Sequence, residues 1–264
     1  MLSYQHGYHA GNRADCLKHA ALHAILEEMA KTAHPLLYVE THAGRGAYDL
    51  TGAQAQKTGE AALGVLALPN TDEAPPALRP WLKHISASLP KRYAGSPQLA
   101  SDLLNAKSRA VFFERHPAEH KALKTALSDA GTQIQILKED GYRGTMRLQP
   151  RRGESMLILL DPSYETIADM DALAKWVPRA LTKWPNAQLL IWLPLFEDER
   201  ESEFGAFLSE LDEGFVAGAR WPVGSVGDSA LVGSAVVGLR IGGTAAARSF
   251  DIAASLENLW AATS

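Results

Sequence analysis

Residues 161–164, with the sequence DPSY, place three kinds of recognition group next to one another. Asp161 supplies a carboxylate and Tyr164 an aromatic ring, while Pro162 lacks a backbone N–H and leaves neighbouring carbonyl oxygens free to accept. The combination suits a planar base with an amino group. Asp161 and the Pro162 carbonyl would accept hydrogen bonds from the amino group, while Tyr164 would stack on the ring. Because Asp-Pro also opens many turns, a purely structural role is the alternative.

Further polar residues follow other predicted strands. Residues 40–47, ETHAGRGA, carry two glycines whose spacing lets the backbone turn sharply at Gly44 and approach a ligand. The third glycine of the dinucleotide fingerprint is absent, because Asp49 stands in its place. Glu114 is positioned to accept hydrogen bonds from ribose hydroxyls. The alternative is that Glu114 is only an exposed charge at the end of a strand. Asp140 would accept from an adenine amino group or simply start a turn.

A sheet covered by helices would bring these residues together. Apolar runs without polar alternation predict strands that are buried on both faces, at 36–43, 110–115, 134–140, 156–161, 187–194 and 234–241, with a possible strand at 214–223. Helical patterns alternate with them, for example at 118–130 and 170–182. The alternation predicts an α/β fold with a mostly parallel sheet, whose ligands bind beyond the carboxyl ends of the strands.

Two segments depart from this alternation. Asn12 and Asp15 have the spacing of a capped helix start, which predicts a helix over 13–31 before the first strand. Residues 52–93 interrupt the sheet pattern and contain Trp81, Leu82, Ile85 and Leu89 at helical spacing. We expect a single domain over 1–264 with a small helical insertion at 52–93.

The composition excludes disorder as the default, because 46% of the residues are hydrophobic and 21% are charged. The net charge of −4 argues at first against a nucleic-acid partner, but the charges are unevenly distributed. Residues 197–213 hold eight acidic residues and one arginine, whereas residues 138–152 hold five basic and two acidic residues. The basic run indicates a surface that attracts phosphate, with a solvated loop as the alternative.

The longest nearly uninterrupted apolar stretch, 189–196, is shorter than the roughly 20 residues that cross a bilayer. The N-terminus shows no basic start and apolar core of a secretory signal. Cys16 is the single cysteine, so no intrachain disulfide is possible and a reducing compartment is indicated. We therefore expect a cytoplasmic protein without a membrane segment.

Several motifs together resemble a known family. YQHGYHAGNRADCLKH near the N-terminus, with ETHAGRGAY, YAGSP and FFERHP, resembles the bacterial 23S ribosomal RNA adenine-N6 methyltransferases of the large-subunit methyltransferase J family. DPSY is similar to the Asp/Asn/Ser-Pro-Pro-aromatic motif of amino methyltransferases that use S-adenosylmethionine. The resemblance extends over essentially the full chain. Ser163 stands where the family usually has a second proline, which keeps the Pro162 carbonyl but makes the loop less rigid.

The resemblance implies a class I S-adenosylmethionine-dependent methyltransferase fold, Rossmann-like, with a mostly parallel seven-stranded sheet and an N-terminal helix. It implies a cofactor site formed by Lys18, His19, His42, Ser96, Glu114, Asp140 and Gly141. We add Gly44, from the glycine turn, to this site. The resemblance also implies Asp161 as the catalytic acceptor, assisted by Pro162 and Tyr164, and Tyr4 as a contact to the RNA, with His6 in the same segment. The implied partner is 23S ribosomal RNA, and we expect a monomer.

The expected chemistry is direct methyl transfer to adenine N6, whose lone pair is delocalised into the ring and must be oriented. The proton released would pass to Asp161 or to water. Since a stacked base cannot be reached, the adenine must be unpaired or flipped. DNA adenine methylation uses the same pocket chemistry and is the main alternative.

Three further alternatives are a metal site, a nicotinamide-dependent oxidoreductase and a non-catalytic RNA-binding module. Cys16, His19 and His23 have helical spacing that would place ligands on one face, yet a lone cysteine with histidines is more often packing or substrate contact, so we expect no metal. The oxidoreductase would need a complete GxGxxG and has no use for DPSY.

Overall fold

The computed structural model describes residues 5–32, 34–131, 133–164, 167–222 and 231–262. Tyr4, the expected RNA contact, lies outside the described residues. Within the described part of the chain, no helix has the length and apolarity needed to span a bilayer.

Nine strands form in the described residues: β1 (Leu36–Glu40), β2 (Ala47–Asp49), β3 (Arg92–Ala94), β4 (Arg109–Phe113), β5 (Gln133–Leu137), β6 (Ser155–Leu160), β7 (Ala187–Phe196), β8 (Gly214–Arg220) and β9 (Leu231–Leu239). Seven of them form the central sheet in the order β5-β4-β1-β6-β7-β9-β8. All pairs are parallel except those of β9, which runs antiparallel to β7 and β8. This is the predicted mostly parallel, seven-stranded, Rossmann-like sheet, and the fold prediction is confirmed.

The helices are α1 (Arg13–Ala30), α2 (Ala53–Thr58), α3 (Arg79–Ser86), α4 (Ser96–Leu103), α5 (Pro117–Ala126), α6 (Gly141–Thr145), α7 (Ile167–Lys183), α8 (Ser202–Glu210) and α9 (Gly243–Ala262). Short 3-10 turns occupy His6–Tyr8, Glu60–Ala62 and Val65–Ala67. Because helices cover both faces of the sheet, β1 is buried at every residue, which explains its continuous apolar sequence.

Helix α1 begins where the sequence predicts. The Asn12 side chain accepts a hydrogen bond from the Asp15 backbone N–H at 2.9 Å, which satisfies one of the free donors of the first turn. Leu17, Leu22 and Ile25 are fully buried and fix the helix against the domain core. This packing holds the polar first turns of α1 at the carboxyl edge of the sheet.

The segment 52–93 lies between β1 and α4 and contains α2, two 3-10 turns and α3. Its predicted helical residues Trp81 and Ile85 are 1% exposed on α3, whereas Leu89 follows the end of that helix. A short antiparallel ribbon of β2 and β3, which the sequence did not predict, joins the two ends of the segment. That 52–93 is an insertion subdomain of a single domain stays a prediction.

Candidate active site

A cavity of about 620 Å³ opens at the carboxyl edge of the sheet. Its volume is in the usual range of small-molecule and cofactor sites. Every predicted site residue inside the described part of the chain lines it: His6, Lys18, His19, His42, Gly44, Ser96, Glu114, Asp140, Gly141, Asp161, Pro162 and Tyr164. The structure therefore brings together residues that are far apart in the sequence, while their individual roles stay predictions.

The glycine turn after β1 is built for close approach. Gly44 has φ +63°, a left-handed conformation that side-chain-bearing residues rarely adopt. The backbone N–H of Gly44 donates to Glu114 Oε2 at 2.8 Å, and His116 N donates to Oε1 of the same carboxylate at 2.6 Å. Burial raises the pKa of Glu114, which these two donors oppose. The expected ribose acceptor is thus held in a fixed orientation on the cavity wall.

Asp140 and Gly141 form a second wall. The Asp140 carboxylate accepts from the Arg143 backbone N–H at 2.9 Å, so it starts the short helix α6. The helix presses against the chain after β1 so closely that a Cβ on Gly141 would lie 1.9 Å from the Thr41 carbonyl oxygen. Only glycine fits there, and the helix start is fixed against the end of β1.

His42 presents an uncharged ring to the cavity. Its Nδ1 lies 2.8 Å from Thr41 Oγ1, and its ring meets Tyr142 edge-on at 5.1 Å between centroids. Burial lowers the pKa of His42, although Asp161 and Asp140 attract a proton. The neutral imidazole is suited to contact a flat, apolar ring system.

His19 is buried and contacts a neighbouring segment of the chain. It is 2% exposed, and its Nδ1 lies 2.6 Å from the Tyr93 hydroxyl of β3. Burial lowers the pKa of His19 to about 3, so the side chain is neutral at physiological pH. His19 therefore connects α1 to the β2–β3 ribbon as well as lining the cavity.

Lys18 and Asp161 form an ion pair across the cavity floor. Lys18 Nζ lies 2.7 Å from Asp161 Oδ2, and the lysine side chain is only 5% exposed. Burial alone would lower the pKa of Lys18, but Asp15 and Asp161 outweigh it and the pKa is raised. In the described part of the chain no hydrogen bond reaches Asp161 Oδ1. One carboxylate oxygen is thus fixed by Lys18, and the other is available to a ligand.

Tyr164 is anchored through its hydroxyl. It has φ +50°, and its O–H donates to the Trp192 carbonyl oxygen of β7 at 2.6 Å. The Tyr164 ring lies 5.5 Å from the Trp192 ring, whose Nε1 donates to Ser234 Oγ at 2.8 Å. The two rings form an aromatic wall beside Asp161.

Most of the chain also matches a known protein family. The model of the family described as "Ribosomal RNA large subunit methyltransferase D, RlmJ" matches residues 33–217. The chain belongs to this family. Two relatives named "Ribosomal RNA large subunit methyltransferase J", from Haemophilus influenzae and Escherichia coli, are each 32% identical to it, over 200 and 199 residues; each match covers 74% of this chain and 71% of the relative.

A solved structure of a Legionella pneumophila protein is similar to this member of the methyltransferase J family over nearly its whole length. It has 25% sequence identity and a TM-score of 0.84, and the match covers 96% of this chain and 94% of that one. The resemblance seen in the motifs is therefore confirmed at the level of the family.

Two buried acids beside the cavity carry no role that the sequence motifs predict. Glu40, at the end of β1, is fully buried and accepts from the Tyr38 hydroxyl at 2.8 Å and from Ser96 Oγ at 2.9 Å. Asp15 is 1% exposed, and its sequence position predicts only a role in the helix start. The sequence offers only weak signals for them: Glu40 ends an apolar run, and Asp15 lies three residues before Lys18. Trp192 was also missed, since one aromatic in an apolar strand resembles core.

The basic run 138–152 divides between two edges of the sheet. Arg143 lies in α6 beside the cavity and is exposed, whereas Arg151 and Arg152 precede β6 and lie at its amino end. Arg147 pairs with Glu139. The run is therefore not one continuous basic surface. Among the described residues, no group of three or more His, Cys, Asp or Glu side chains is placed to hold a metal ion.

Gly141→Ala tests the close approach of α6. We expect the added methyl to push α6 away from Thr41, lowering the free energy of unfolding by about 1–3 kcal/mol and weakening S-adenosylmethionine binding about tenfold or more. Chemical denaturation and calorimetric titration measure the two effects. Gly131→Ala is the matched control, because its Cβ would meet nothing within 4 Å. Unchanged cofactor affinity in Gly141→Ala would contradict the assignment of this wall.

Glu40→Gln tests the buried carboxyl. Burial raises the pKa of Glu40 to about 8, against about 4.3 in an unfolded chain. The folded state binds the proton more tightly, so the free energy of unfolding falls as pH rises from roughly 4 to 8. Glutamine cannot ionise, and we expect the melting temperature of Glu40→Gln, relative to wild type, to rise between pH 5 and 9. Glu210→Gln, at an exposed position, is the control. If the difference in melting temperature between Glu40→Gln and wild type does not change with pH, the prediction is wrong.

Proposed function

We propose that this protein transfers the methyl group of S-adenosylmethionine to the N6 amino group of an adenine in 23S ribosomal RNA. The observation that carries the proposal is the convergence of Asp161, Pro162 and Tyr164 with the glycine turn in one cavity. Membership of the methyltransferase J family supports it, because both named relatives are large-subunit ribosomal RNA methyltransferases.

The cavity wall fits the cofactor. The Gly44 turn, with φ +63°, brings the backbone to the cavity wall, and Gly141 lets α6 begin directly against the end of β1. The fixed Glu114 carboxylate offers lone pairs that suit ribose hydroxyls. The neutral His42 ring suits a flat base. Ser96 and His19 complete the expected contacts along the same wall. S-adenosylmethionine, when bound, supplies an electrophilic methyl group on a cationic sulfur.

Asp161 orients the amino group of the target adenine. Its Oδ2 is held by Lys18 at 2.7 Å, so Oδ1 and the Pro162 carbonyl accept from the two amino hydrogens. Adenine N6 is a poor nucleophile, and holding its lone pair toward the methyl group provides most of the acceleration through proximity and orientation. The proton released afterwards passes to Asp161 or to water.

Tyr164 supports the base from one face. Its hydroxyl is bound to the Trp192 carbonyl of β7, which fixes the plane of the phenol ring. Stacking on this ring requires an adenine that has left its own stack. We propose Tyr4, which lies outside the described residues, and His6 as RNA contacts beside this pocket; His6 lines the same cavity.

The deciding experiment offers the purified protein a 23S ribosomal RNA transcript and S-adenosylmethionine with a labelled methyl group. We expect N6-methyladenosine at one position of the RNA after nuclease digestion and mass spectrometry. A DNA of the same sequence is the parallel substrate, because RNA and DNA differ at the 2′-hydroxyl. Methylation of the DNA alone would favour the DNA methyltransferase alternative, and cofactor binding without transfer would favour the non-catalytic module.

Asp161→Asn and Asp161→Ala test the acceptor. We expect methyl transfer to fall by about 100-fold or more, since the amino group loses its orienting acceptor, while the dissociation constant for S-adenosylmethionine changes less than about threefold. Single-turnover assays and calorimetric titration measure these. Asp102→Asn is the control, because Asp102 is an exposed acid of α4 that pairs with His84. Near-normal transfer by Asp161→Ala would refute the assigned role.

Tyr164→Phe and Tyr164→Ala separate the ring from its anchor. Phenylalanine keeps the stacking surface but loses the hydrogen bond to Trp192, so we expect a loss in kcat of about three- to tenfold. Alanine removes the stacking surface as well and is expected to lose about 100-fold. Steady-state kinetics on the RNA transcript distinguish them. Equal activity of the two variants would exclude stacking by this residue.

A further inference from the structure

The Asp15 carboxylate lies at the junction of three parts of the chain. Its Oδ2 lies 2.8 Å from His6 Nε2 and accepts from the Gly11 backbone N–H at 2.9 Å. Its Oδ1 lies 2.9 Å from Lys18 Nζ, one turn further along α1. The side chain is 1% exposed. Oδ2 is satisfied by its two donors, whereas Oδ1 is buried without a hydrogen bond of suitable geometry among the described residues, so the nearby Lys18 charge compensates its burial.

Lys18 needs this second carboxylate to have a defined position. A lysine stem has four rotatable bonds and ends in a compact charge, so a single ion pair does not fix the ammonium group. Here Nζ lies between Asp15 at 2.9 Å and Asp161 at 2.7 Å. Asp15 belongs to the same helix, whose cap and apolar face are fixed, and it therefore determines where the ammonium meets Asp161.

We propose that Asp15 is a positioning residue for methyl transfer, which holds the Lys18 ammonium against Asp161 and joins residues 6–11 to the same ion pair. This inference rests on the proposed function, in which Asp161 orients the target amine. Asp15 acts through Lys18 and is not itself a contact to the reacting atoms.

Other charged and titratable groups also face Lys18. They are His19 on α1 and Glu40 on β1, in addition to Asp15 and Asp161, and His6 contacts the far oxygen of Asp15. The Trp192 ring lies 5.7 Å from Nζ. Burial lowers the pKa of Lys18, and the charges of Asp15 and Asp161 together raise it. Removing the charge of Asp15 leaves Asp161 as the main group that keeps Lys18 protonated.

Asp15→Asn, Asp15→Ser and Asp15→Glu form the test, with methyl transfer to the RNA transcript measured from pH 6 to 10. We expect kcat of Asp15→Asn to fall about tenfold or more while KM for S-adenosylmethionine changes less than about threefold. Activity should also be lost at a lower pH than in wild type, because Lys18 deprotonates more easily. Asp15→Glu restores the charge and should recover part of kcat and the wild-type pH limit.

Glu28→Gln is the matched control, since Glu28 lies on the same helix but pairs with Lys31 and Arg248 away from the cavity. Wild-type kcat and pH profile in Asp15→Asn would overturn the inference. Asp15→Ser still accepts from Gly11 and replaces Asp15→Asn if the latter does not fold by circular dichroism. If neither variant folds, Asp15 is required for folding and not for positioning Lys18, and the inference is also overturned.

Asp161→Asn, assayed in parallel, separates this inference from the proposed function. If Asp161→Asn retains transfer, the proposed role of Asp161 is wrong and the inference fails with it. If Asp161→Asn is inactive while Asp15→Asn behaves as wild type, the proposed function stands and only the role of Asp15 is wrong.

Discussion

The ion pair between Lys18 and Asp161 joins the N-terminal helix to the central sheet across 143 residues of sequence. Asp161 is the partner that the sheet supplies, so moving the first turns of α1 away from the end of β6 would break this pair and leave the buried Lys18 charge and the partly buried Asp161 charge less well compensated. Both the wall that faces the expected cofactor and the acceptor for the expected base are arranged around this contact. The position of α1 is therefore a condition for the site, although the helix precedes the sheet in sequence.

Apolar and polar parts of α1 have separate tasks. Leu17, Leu22 and Ile25 pack into the core and contribute the burial that holds the helix, while Asp15 and His19 form polar contacts at its beginning. Buried polar groups stabilise a fold only when their partners are in place. The contacts to Gly11 and Tyr93 meet this requirement with groups from neighbouring segments. The cost of the polar site is thus offset by packing further along the same helix.

Elements with strong local signals could be predicted from the sequence. The inner strands β1, β4, β6 and β7 are predictable because they are apolar without alternation, and α1 is predictable because of the Asn12 cap. The expectation that 134–140 is buried on both faces is wrong, because β5 lies at the edge of the sheet and is only partly buried. The β2–β3 ribbon was not found, since strands of three residues carry too little pattern and pair across more than forty residues. The same limit applies to the site. DPSY and the glycine turn are local motifs, whereas the partners of Lys18 and Glu40 are set by tertiary packing.

Ser163 shows how packing can replace a local restraint. A proline there would restrict the conformation of Pro162 directly, which serine does not. In this structure the following residue provides the restraint: Tyr164 adopts φ +50°, a conformation that costs roughly 1–2 kcal/mol without support, and its hydroxyl is bound to the Trp192 carbonyl. Pro162 is itself buried. The loop is therefore held from β7 at its far end, so the missing second proline need not loosen the geometry around Asp161.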